Sequence, residues 1–214
     1  MKLISVSTGR PRDVVGLDGR LVTTSIWKSP REGRVGVKTL NLDGDEQSDL
    51  TVHGGTYKAV YCYPSEHYAY WRSELPDADL PWGAFGENLT VDGMLETEVC
   101  IGDRFRIGTA EFQVTQPRQP CFKLQLRHRR DDLIKRFIAS SRPGFYVAVT
   151  REGQIGAGDP VEYLERAAPS MSVHDIFLLY FDDRGKHDEL RRAAEIAGLA
   201  PGWKEHFRKR VSGV

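Results

Sequence analysis

Residues 103–126 read DRFRIGTAEFQVTQPRQPCFKLQL and contain the change of periodicity that decides the fold. The first half alternates apolar and polar side chains around Gly108, which is typical of two short strands joined by a turn. Pro117 and Pro120 then stiffen the chain and remove two backbone donors. After Cys121 the apolar side chains recur at helical intervals as far as Ile138. The stretch therefore predicts a strand that gives way to a helix at a turn carrying one thiol.

Short strand-like runs separated by Gly and Asp clusters lie on both sides of this stretch. They number about eight or nine, which predicts a mainly β fold, barrel-like or a sandwich, rather than a doubly wound sheet. One further helix is predicted from Ser65 to Leu75, with Ser65 as its candidate cap. The strand-like runs are 3–9, 20–27, 34–40, 59–64, 87–91, 103–108, 110–116, 145–153 and 161–165.

The pattern changes after residue 168. SMSVHDIFLLYF opens with a capping-box-like pair, Ser172 and Asp175, and two further amphipathic segments follow it. We therefore predict a β domain over residues 1–165 and a three-helix domain over residues 169–214. Three short helices also allow a helix-turn-helix, but no basic stripe marks one face, so a packing or docking module is favoured.

The composition limits the function classes. The 214 residues suit one large domain with a small appendage, and 30 basic residues balance 30 acidic ones. A neutral chain is not expected to bind nucleic acid through its overall charge. There is no CxxC pair, no long apolar leader and no run that could span a bilayer, which predicts a protein of the reducing cytoplasm without a membrane partner.

Cys121 differs from the other two cysteines. Cys62 and Cys100 lie in strand-like runs and are expected to be small buried hydrophobes. Cys121 precedes a helix and lies three residues after Arg118, in a segment (115–136) with seven basic and two acidic side chains. Positive surroundings favour a thiolate. These residues alone leave three interpretations open: a nucleophile, a ligand, and a helix cap beside a solvated charged face.

A second cluster lies in residues 43–64, DGDEQSDLTVHGGTYKAVYCYP. Its acidic residues and His53 indicate a metal site only weakly, because the spacing of a calcium loop is missing. Gly54 and Gly55 permit close approach of the backbone to a ligand and can form an anion-binding nest, to which Lys58 adds a charge. An ordinary turn before a strand remains the alternative.

A third cluster is AFGENLTVDG, residues 84–93. Glu87 can accept hydrogen bonds from a polar ligand, and Asn88 can both donate and accept. A simple turn is the favoured interpretation when this loop is taken alone. Lys28, in WKSP, faces either a ligand or solvent.

Several segments together resemble the MOSC domain family, which is shared with the C-terminal part of molybdenum-cofactor sulfurases. The resemblance is collinear over about residues 20–165. The three-helix tail makes the chain similar to the YiiM-type members, also described as 6-N-hydroxylaminopurine resistance proteins. The segments are VHGGTYKAVY, FGENLTV, GDRFRIG, VTQPRQPCFKL, GFYVAV and GDPVE.

The resemblance implies a barrel-like fold that binds the molybdenum cofactor, a pterin whose dithiolene holds molybdenum. Cys121 is then the thiolate ligand of the metal and the catalytic residue. Positive side chains neutralise the phosphate and dithiolene, the HGG turn cradles the cofactor, and polar side chains bond the pterin. The implied cofactor contacts are Lys28, His53, Gly54, Gly55, Lys58, Glu87, Asn88, Arg118 and Cys121.

The implied activity is a molybdenum-dependent reduction of N-hydroxylated compounds, such as hydroxylaminopurines, to amines. Because the sequence has no iron–sulfur spacing and no flavin fingerprint, a separate flavin-type reductase is expected as electron donor. The protein is expected to be a monomer or homodimer. The alternative is a binding or carrier protein that holds the cofactor or sulfur without turnover. A cysteine hydrolase using Cys121 and His53 lacks a recognised nucleophile motif.

Overall fold

The computed structural model describes residues 1–48, 54–182 and 186–213 of the chain. Its described residues are mainly sheet, as predicted, with three helices in the C-terminal region. The strands are β1 (Lys2–Thr8), β2 (Arg12–Val15), β3 (Leu21–Thr24), β4 (Ser29–Pro30), β5 (Val35–Val37), β6 (Val60–Pro64), β7 (Leu89–Asp92), β8 (Arg104–Ile107), β9 (Ala110–Pro117), β10 (Phe145–Arg151), β11 (Gly153–Ile155) and β12 (Val161–Glu165). The helices are α1 (His67–Glu74), α2 (Phe122–His128), α3 (Leu133–Ser140), α4 (Val173–Phe181), α5 (His187–Glu195) and α6 (Pro201–Ser212), with a 3-10 helix at Thr56–Lys58.

The main sheet has eight strands in the order β12-β8-β9-β10-β6-β7-β1-β4. Its pairs are antiparallel except for β6 and β7, which run parallel. The sheet does not close into a barrel within the described residues. Its two sides meet at one isolated bridge between Lys2 and Pro160, with three backbone hydrogen bonds around it. These run from the Leu3 amide to the Asp159 carbonyl (2.9 Å), from Gly158 to Leu3 (2.7 Å) and from Val161 to Met1 (3.3 Å). Because Pro160 has no N–H to donate, it cannot extend this bridge into a full ladder.

The C-terminal helices pack directly on the sheet. Phe112 and Val114 of β9 belong to the same buried cluster as Ile176 of α4, Leu190 of α5 and Phe207 of α6. Burial of each large apolar side chain stabilises the fold by about 1.5–3 kcal/mol. The three helices are therefore fixed to the β region by a continuous core.

A second cluster, rich in aromatic residues, holds the loops of the site. Trp71 of α1 donates through Nε1 to the Tyr63 hydroxyl (2.6 Å) and stacks on Phe137 of α3, with ring centroids 5.2 Å apart. Phe85 packs against the same rings. This cluster fixes the 83–88 loop and the α2–α3 pair against β6.

Two local predictions were wrong. The single helix expected after Cys121 is two helices, because Arg129 adopts the left-handed conformation (φ 51°) and ends α2. Ser65 does not cap α1 with its side chain; its carbonyl accepts from the Tyr68 amide (3.1 Å), and the helix begins at His67. By contrast, the Ser172 side chain accepts from the Asp175 amide (3.0 Å), so the predicted cap of α4 is confirmed.

None of the helices in residues 1–48, 54–182 and 186–213 is long and apolar enough to cross a membrane.

Candidate functional site

A cavity opens where β9 gives way to α2, beside the 83–88 loop and the turn before the 3-10 helix. Six of the predicted site residues line it. Gly55 lines a neighbouring cleft instead, Glu87 lies away from the cavity wall, and His53 lies outside the described residues. The six lining residues are Lys28, Gly54, Lys58, Asn88, Arg118 and Cys121.

Cys121 precedes α2 with an extended backbone. Its carbonyl accepts from the Leu124 amide (2.9 Å), while its side chain makes no capping hydrogen bond. The thiol is free and partly exposed to the cavity. The helix-cap interpretation of this side chain is therefore wrong, and the sulfur is available to a ligand.

Arg118 is a buried cation on the cavity wall. Its side chain lies between the rings of Tyr61 and Phe137, with its guanidinium carbon 5.3 and 5.2 Å from their centroids. The residue is only 4% exposed, yet its Nη1 has no hydrogen-bond partner among the described residues. Because a buried charged donor without a partner is costly, this geometry fits an anionic ligand in the cavity.

Lys28 already has a carboxylate partner. Its Nζ forms an ion pair with Oδ1 of Asp45, whose other oxygen accepts from Nδ2 of Asn88 (2.9 Å). Burial lowers the pKa of Lys28, and the Asp45 charge opposes that effect. Asp45, which the sequence indicated only as a weak metal candidate, therefore orders two lining residues, Lys28 and Asn88. Its carboxylate neutralises the Lys28 ammonium, so Lys28 adds little net positive charge for an anionic ligand.

The paired glycines form a turn before the 3-10 helix. Gly54 and Gly55 have φ of 101° and 78°, a region that favours glycine, and the Gly55 carbonyl accepts from the Lys58 amide (3.0 Å). Burial lowers the pKa of Lys58, whereas the sulfur of Cys121 raises it. The turn thus places a partly buried cation in electrostatic contact with the thiol.

Glu87 is fully buried and all its contacts are internal. Its carboxylate accepts from the amides of Gly83 (2.7 Å) and Phe85 (3.0 Å), from the Thr90 hydroxyl (3.1 Å) and from the Tyr68 hydroxyl. With its oxygens committed to these four donors, Glu87 shapes the 83–88 loop and is not placed to contact a pterin.

The lining residues that the sequence analysis missed include Lys123, Tyr61 and Tyr146. Tyr146 lies opposite Tyr61 in the β10–β6 register and opposite Gln116 in the β10–β9 register. The sequence did carry a signal for Tyr61. Neighbouring residues of a strand point to opposite faces, so Tyr61 and Cys62 were expected on opposite faces of β6. Pairing across the sheet was not readable from the sequence.

His128 joins α2 to the 83–88 loop. Its Nε2 donates to the Ala84 carbonyl (2.9 Å) and its ring stacks on Phe85. Burial lowers the pKa of His128 to about 4, although the Ala84 bond partly offsets this.

We expect this histidine to make the fold sensitive to acid. Between pH 6.5, the ordinary histidine pKa, and about pH 4, His128 is protonated in the unfolded chain but neutral in the folded chain. The free energy of unfolding therefore falls as pH falls through this window. The loss from His128 is about 2–3 kcal/mol. Urea unfolding at pH 7 and pH 4.5 measures it. His128→Gln is expected to show a shallower pH dependence, and His187→Gln, at the exposed start of α5, serves as the control; equal slopes in all three proteins would contradict the assignment.

The fold and cavity define a β scaffold that presents one thiol and several cations at one cavity, with three helices packed on the sheet. The MOSC domain model matches residues 49–162, and the model described as YiiM-like, 3-alpha helix domain matches residues 171–213. The chain therefore belongs to the MOSC domain family, with a YiiM-like helical region.

Known relatives share this organisation. YflK of Bacillus subtilis is 37% identical over 97% of this chain and 93% of its own length. Protein YiiM of Escherichia coli is 35% identical over 87% of this chain and 84% of its own length. A protein of Gibberella moniliformis named reductase is 38% identical over 81% of this chain, which is 31% of that protein.

Solved structures agree with the fold. The crystal structure of YiiM from Geobacillus stearothermophilus superposes with a TM-score of 0.83, at 35% identity, over 98% of both chains. That of YiiM from Escherichia coli gives 0.80 at 28% identity, over 100% of this chain and 94% of the other. The likeness extends over the β region and the three helices together.

Proposed function

We propose that this protein is a molybdenum-cofactor-dependent reductase of N-hydroxylated compounds that receives electrons from a separate flavin-type protein. The observation that carries the proposal is the presence, in one cavity, of the free Cys121 thiol and the buried Arg118 guanidinium with its unpartnered Nη1. Membership of the MOSC family and the relative named reductase support a reductive reaction.

The lining residues fit this cofactor. A thiolate is a soft ligand suited to molybdenum, and a guanidinium pairs well with phosphate. Lys58 and Lys123 add two more cations at the wall, and the Gly54 turn allows close approach of the backbone. In the described residues no group of three or more His, Cys, Asp or Glu could hold a metal alone. A metal that arrives with its own dithiolene would not need such a group, and Cys121 would supply a thiolate ligand to it.

The overall reaction is R–NHOH + 2 e⁻ + 2 H⁺ → R–NH₂ + H₂O. When bound, the cofactor supplies the two-electron redox chemistry. Arg118 and Lys58 would hold its anionic groups, whereas Asn88, whose amide bonds Asp45, Ser7 and Tyr61, would shape the cavity wall. Tyr146 lines the same wall, and burial raises its pKa, so its hydroxyl stays protonated at neutral pH and can donate a hydrogen bond into the cavity.

The test uses full-length protein made in a host that synthesises the cofactor. We expect near-stoichiometric molybdenum and oxidation of reduced benzyl viologen that depends on an N-hydroxylated substrate. Wild-type protein without molybdenum or pterin overturns the cofactor assignment. Protein that binds the cofactor but never turns over overturns the reductase and leaves the carrier function.

Replacement of Arg118 by methionine separates stability from binding. Methionine keeps much of the apolar contact with Tyr61 and Phe137 while removing a buried charge, so the free energy of unfolding of cofactor-free protein stays within about 1 kcal/mol of wild type or rises. Cofactor retention, measured as molybdenum per chain after gel filtration, falls at least about tenfold. Loss of stability with full molybdenum retention would show that Arg118 is structural.

A further inference from the structure

An apolar groove of about 500 Å³ lies between the β2–β3 hairpin and the first turns of α2. Leu17 and Leu21 of the hairpin and Phe122 of α2 line it, and these three side chains are 54%, 69% and 54% exposed. Apolar side chains scattered singly over a surface are ordinary, whereas several in one groove mark a place where another molecule binds.

The hairpin on one side of this groove is separate from the main sheet. Among the described strands, β2 and β3 pair only with each other, with Val14 opposite Val22 and Arg12 opposite Thr24. Opposite residues of a pair share a face, and neighbours along a strand alternate between faces. Because Val22 lines the groove, Arg12 lies on the groove side of the hairpin and Asp13 on the far side.

The groove adjoins the cavity that contains the Cys121 thiol. Phe122 lines the groove and directly follows Cys121, which lines the cavity, so the start of α2 separates the two spaces. β3 also leads from one to the other, since Val22 lines the groove and Thr24 lines the cavity. Consecutive Cα atoms are about 3.8 Å apart. A molecule in the groove therefore lies beside the candidate active site.

Unpaired positive charge lies along the groove. Residues 12–24 and 121–132 carry six basic and four acidic side chains, and two of those acids pair with arginines of the same segments. Arg129 comes two helical turns after Phe122 and so lies on the same side of α2. Arg12 lies over an indole ring, 4.1 Å from its centroid. Both arginines are exposed, and neither forms an ion pair with a described residue.

From this arrangement we propose that the groove docks the electron donor, a small flavoprotein with acidic side chains around the exposed edge of its flavin. The proposal rests on the proposed function, in which electrons come from a separate flavin-type protein. Oxidation of one fully reduced flavin, FlH₂ → Fl + 2 e⁻ + 2 H⁺, supplies the electrons and protons that convert R–NHOH to R–NH₂ and water. An apolar centre with a charged rim suits the small, transient encounters of electron transfer.

A second copy of this chain is a poorer occupant of the groove. A two-fold interface places the same patch on both sides, so Arg12 and Arg129 would approach the matching arginines of the other copy. Like charges across an interface suppress association. An acidic flavoprotein instead brings the complementary charge to both arginines.

The test uses full-length, cofactor-loaded protein with reduced flavodoxin, a small acidic FMN protein, as the probe. In the double variant, Leu17→Glu places a negative charge in the groove. Arg129→Asn removes a cation and substitutes a residue that tolerates the left-handed conformation. We expect the dissociation constant for flavodoxin to rise, and kcat/KM for flavodoxin to fall, about tenfold. Oxidation of reduced benzyl viologen is expected to be unchanged, because this small donor needs no docking surface.

Leu40→Glu is the matched control, because Leu40 is a leucine 50% exposed in the turn after β5 and lines neither the groove nor the cavity. It is expected to behave like wild type, and both variants to melt like wild type. Wild type that neither binds flavodoxin nor accepts its electrons would overturn the proposal. So would a double variant with wild-type flavodoxin kinetics, including one whose oligomeric state in gel filtration changes and thereby assigns the groove to a second copy.

Viologen-driven turnover separates this proposal from the proposed function. If viologen drives the reduction in wild type but flavodoxin does not, the docking proposal fails and the reductase stands. If neither donor drives it, the reductase fails, and the dissociation constants of wild type and double variant decide the groove. Added salt is expected to weaken wild-type binding and to narrow the difference between the two proteins.

Discussion

Replacement of Cys121 by serine is expected to lower molybdenum-dependent turnover at least about a hundredfold while the fold stays intact. A hydroxyl is a harder and far less acidic ligand than a thiol, so serine does not replace the soft metal contact. The side chain makes no capping bond, and the Cys121 carbonyl that accepts from Leu124 is unchanged. Stability is therefore expected to stay within about 0.5 kcal/mol of wild type.

The matched control is Cys100→Ser. Cys100 is also a free, partly exposed cysteine, but it lies at the bridge to Ser172 and does not line the cavity. Molybdenum per chain, viologen oxidation and melting temperature are measured for all three proteins. Equal molybdenum and unchanged turnover in Cys121→Ser would remove the ligand role from this cysteine while leaving the cavity as an anion site.

The largest stability effect is expected at Glu87. Glu87→Ala leaves three buried donors without an acceptor, two amides of the 83–88 loop and the Thr90 hydroxyl, and leaves the Tyr68 hydroxyl with only the Pro81 carbonyl (3.2 Å). Burial and the Glu87 charge raise the pKa of Tyr68 well above its ordinary value, so this hydroxyl stays a donor and loses the shorter of its two acceptors. Each orphaned donor costs about 1–3 kcal/mol, and partial relaxation leaves a total of about 4 kcal/mol.

Glu66→Ala is the matched control for this change. Glu66 also accepts from the amide of a turn glycine, Gly93 (2.7 Å), but it does so at the surface, where water replaces the lost bond. We expect a loss below about 1 kcal/mol there. Urea unfolding of the cofactor-free proteins gives both values. A Glu87→Ala protein as stable as Glu66→Ala would show that the loop does not depend on this carboxylate.

The Cys121 and Glu87 substitutions test two different parts of the site. In the proposed function Cys121 contacts the ligand. Glu87 holds the loop from which Asn88 reaches Asp45 and accepts from the Tyr61 amide through Oδ1 (3.2 Å). Glu87→Ala is therefore expected to reduce cofactor retention indirectly, together with stability. Cys121→Ser is expected to reduce it without that loss.

Sequence periodicity was most informative where an element carries its own signal. The alternation through β8 and β9 predicted two paired strands, and the Ser172–Asp175 pair predicted the start of α4. The break at Arg129 was invisible, because an arginine in the left-handed conformation carries no mark in the sequence. The short strands β2, β4 and β11 were likewise missed, since two to four residues are too few to show a period.

For the site residues too, local spacing was informative and contacts between distant parts of the chain were not. Arg118 and Cys121 are three residues apart, so local spacing was enough to group them. Glu87 was assigned to the ligand because a polar residue in a loop looks the same in sequence whether it faces a cavity or an internal set of donors. The partner of Lys28 was also hidden, as Asp45 reaches it across 17 positions of chain.

The sequence by itself determined the mainly β class, the helical C-terminal region and the position of the thiol at a strand-to-helix turn, because each depends on contacts between near neighbours in the chain. Only the tertiary structure decided which charges remain available to a ligand. The pairing of Lys28 with Asp45, and the burial of Arg118 with an Nη1 that has no hydrogen bond among the described residues, depend on segments distant in sequence. It also decided that the helical region walls a cleft beside the cavity, since β9 joins Tyr57 and Ala200 through a single residue, Thr115.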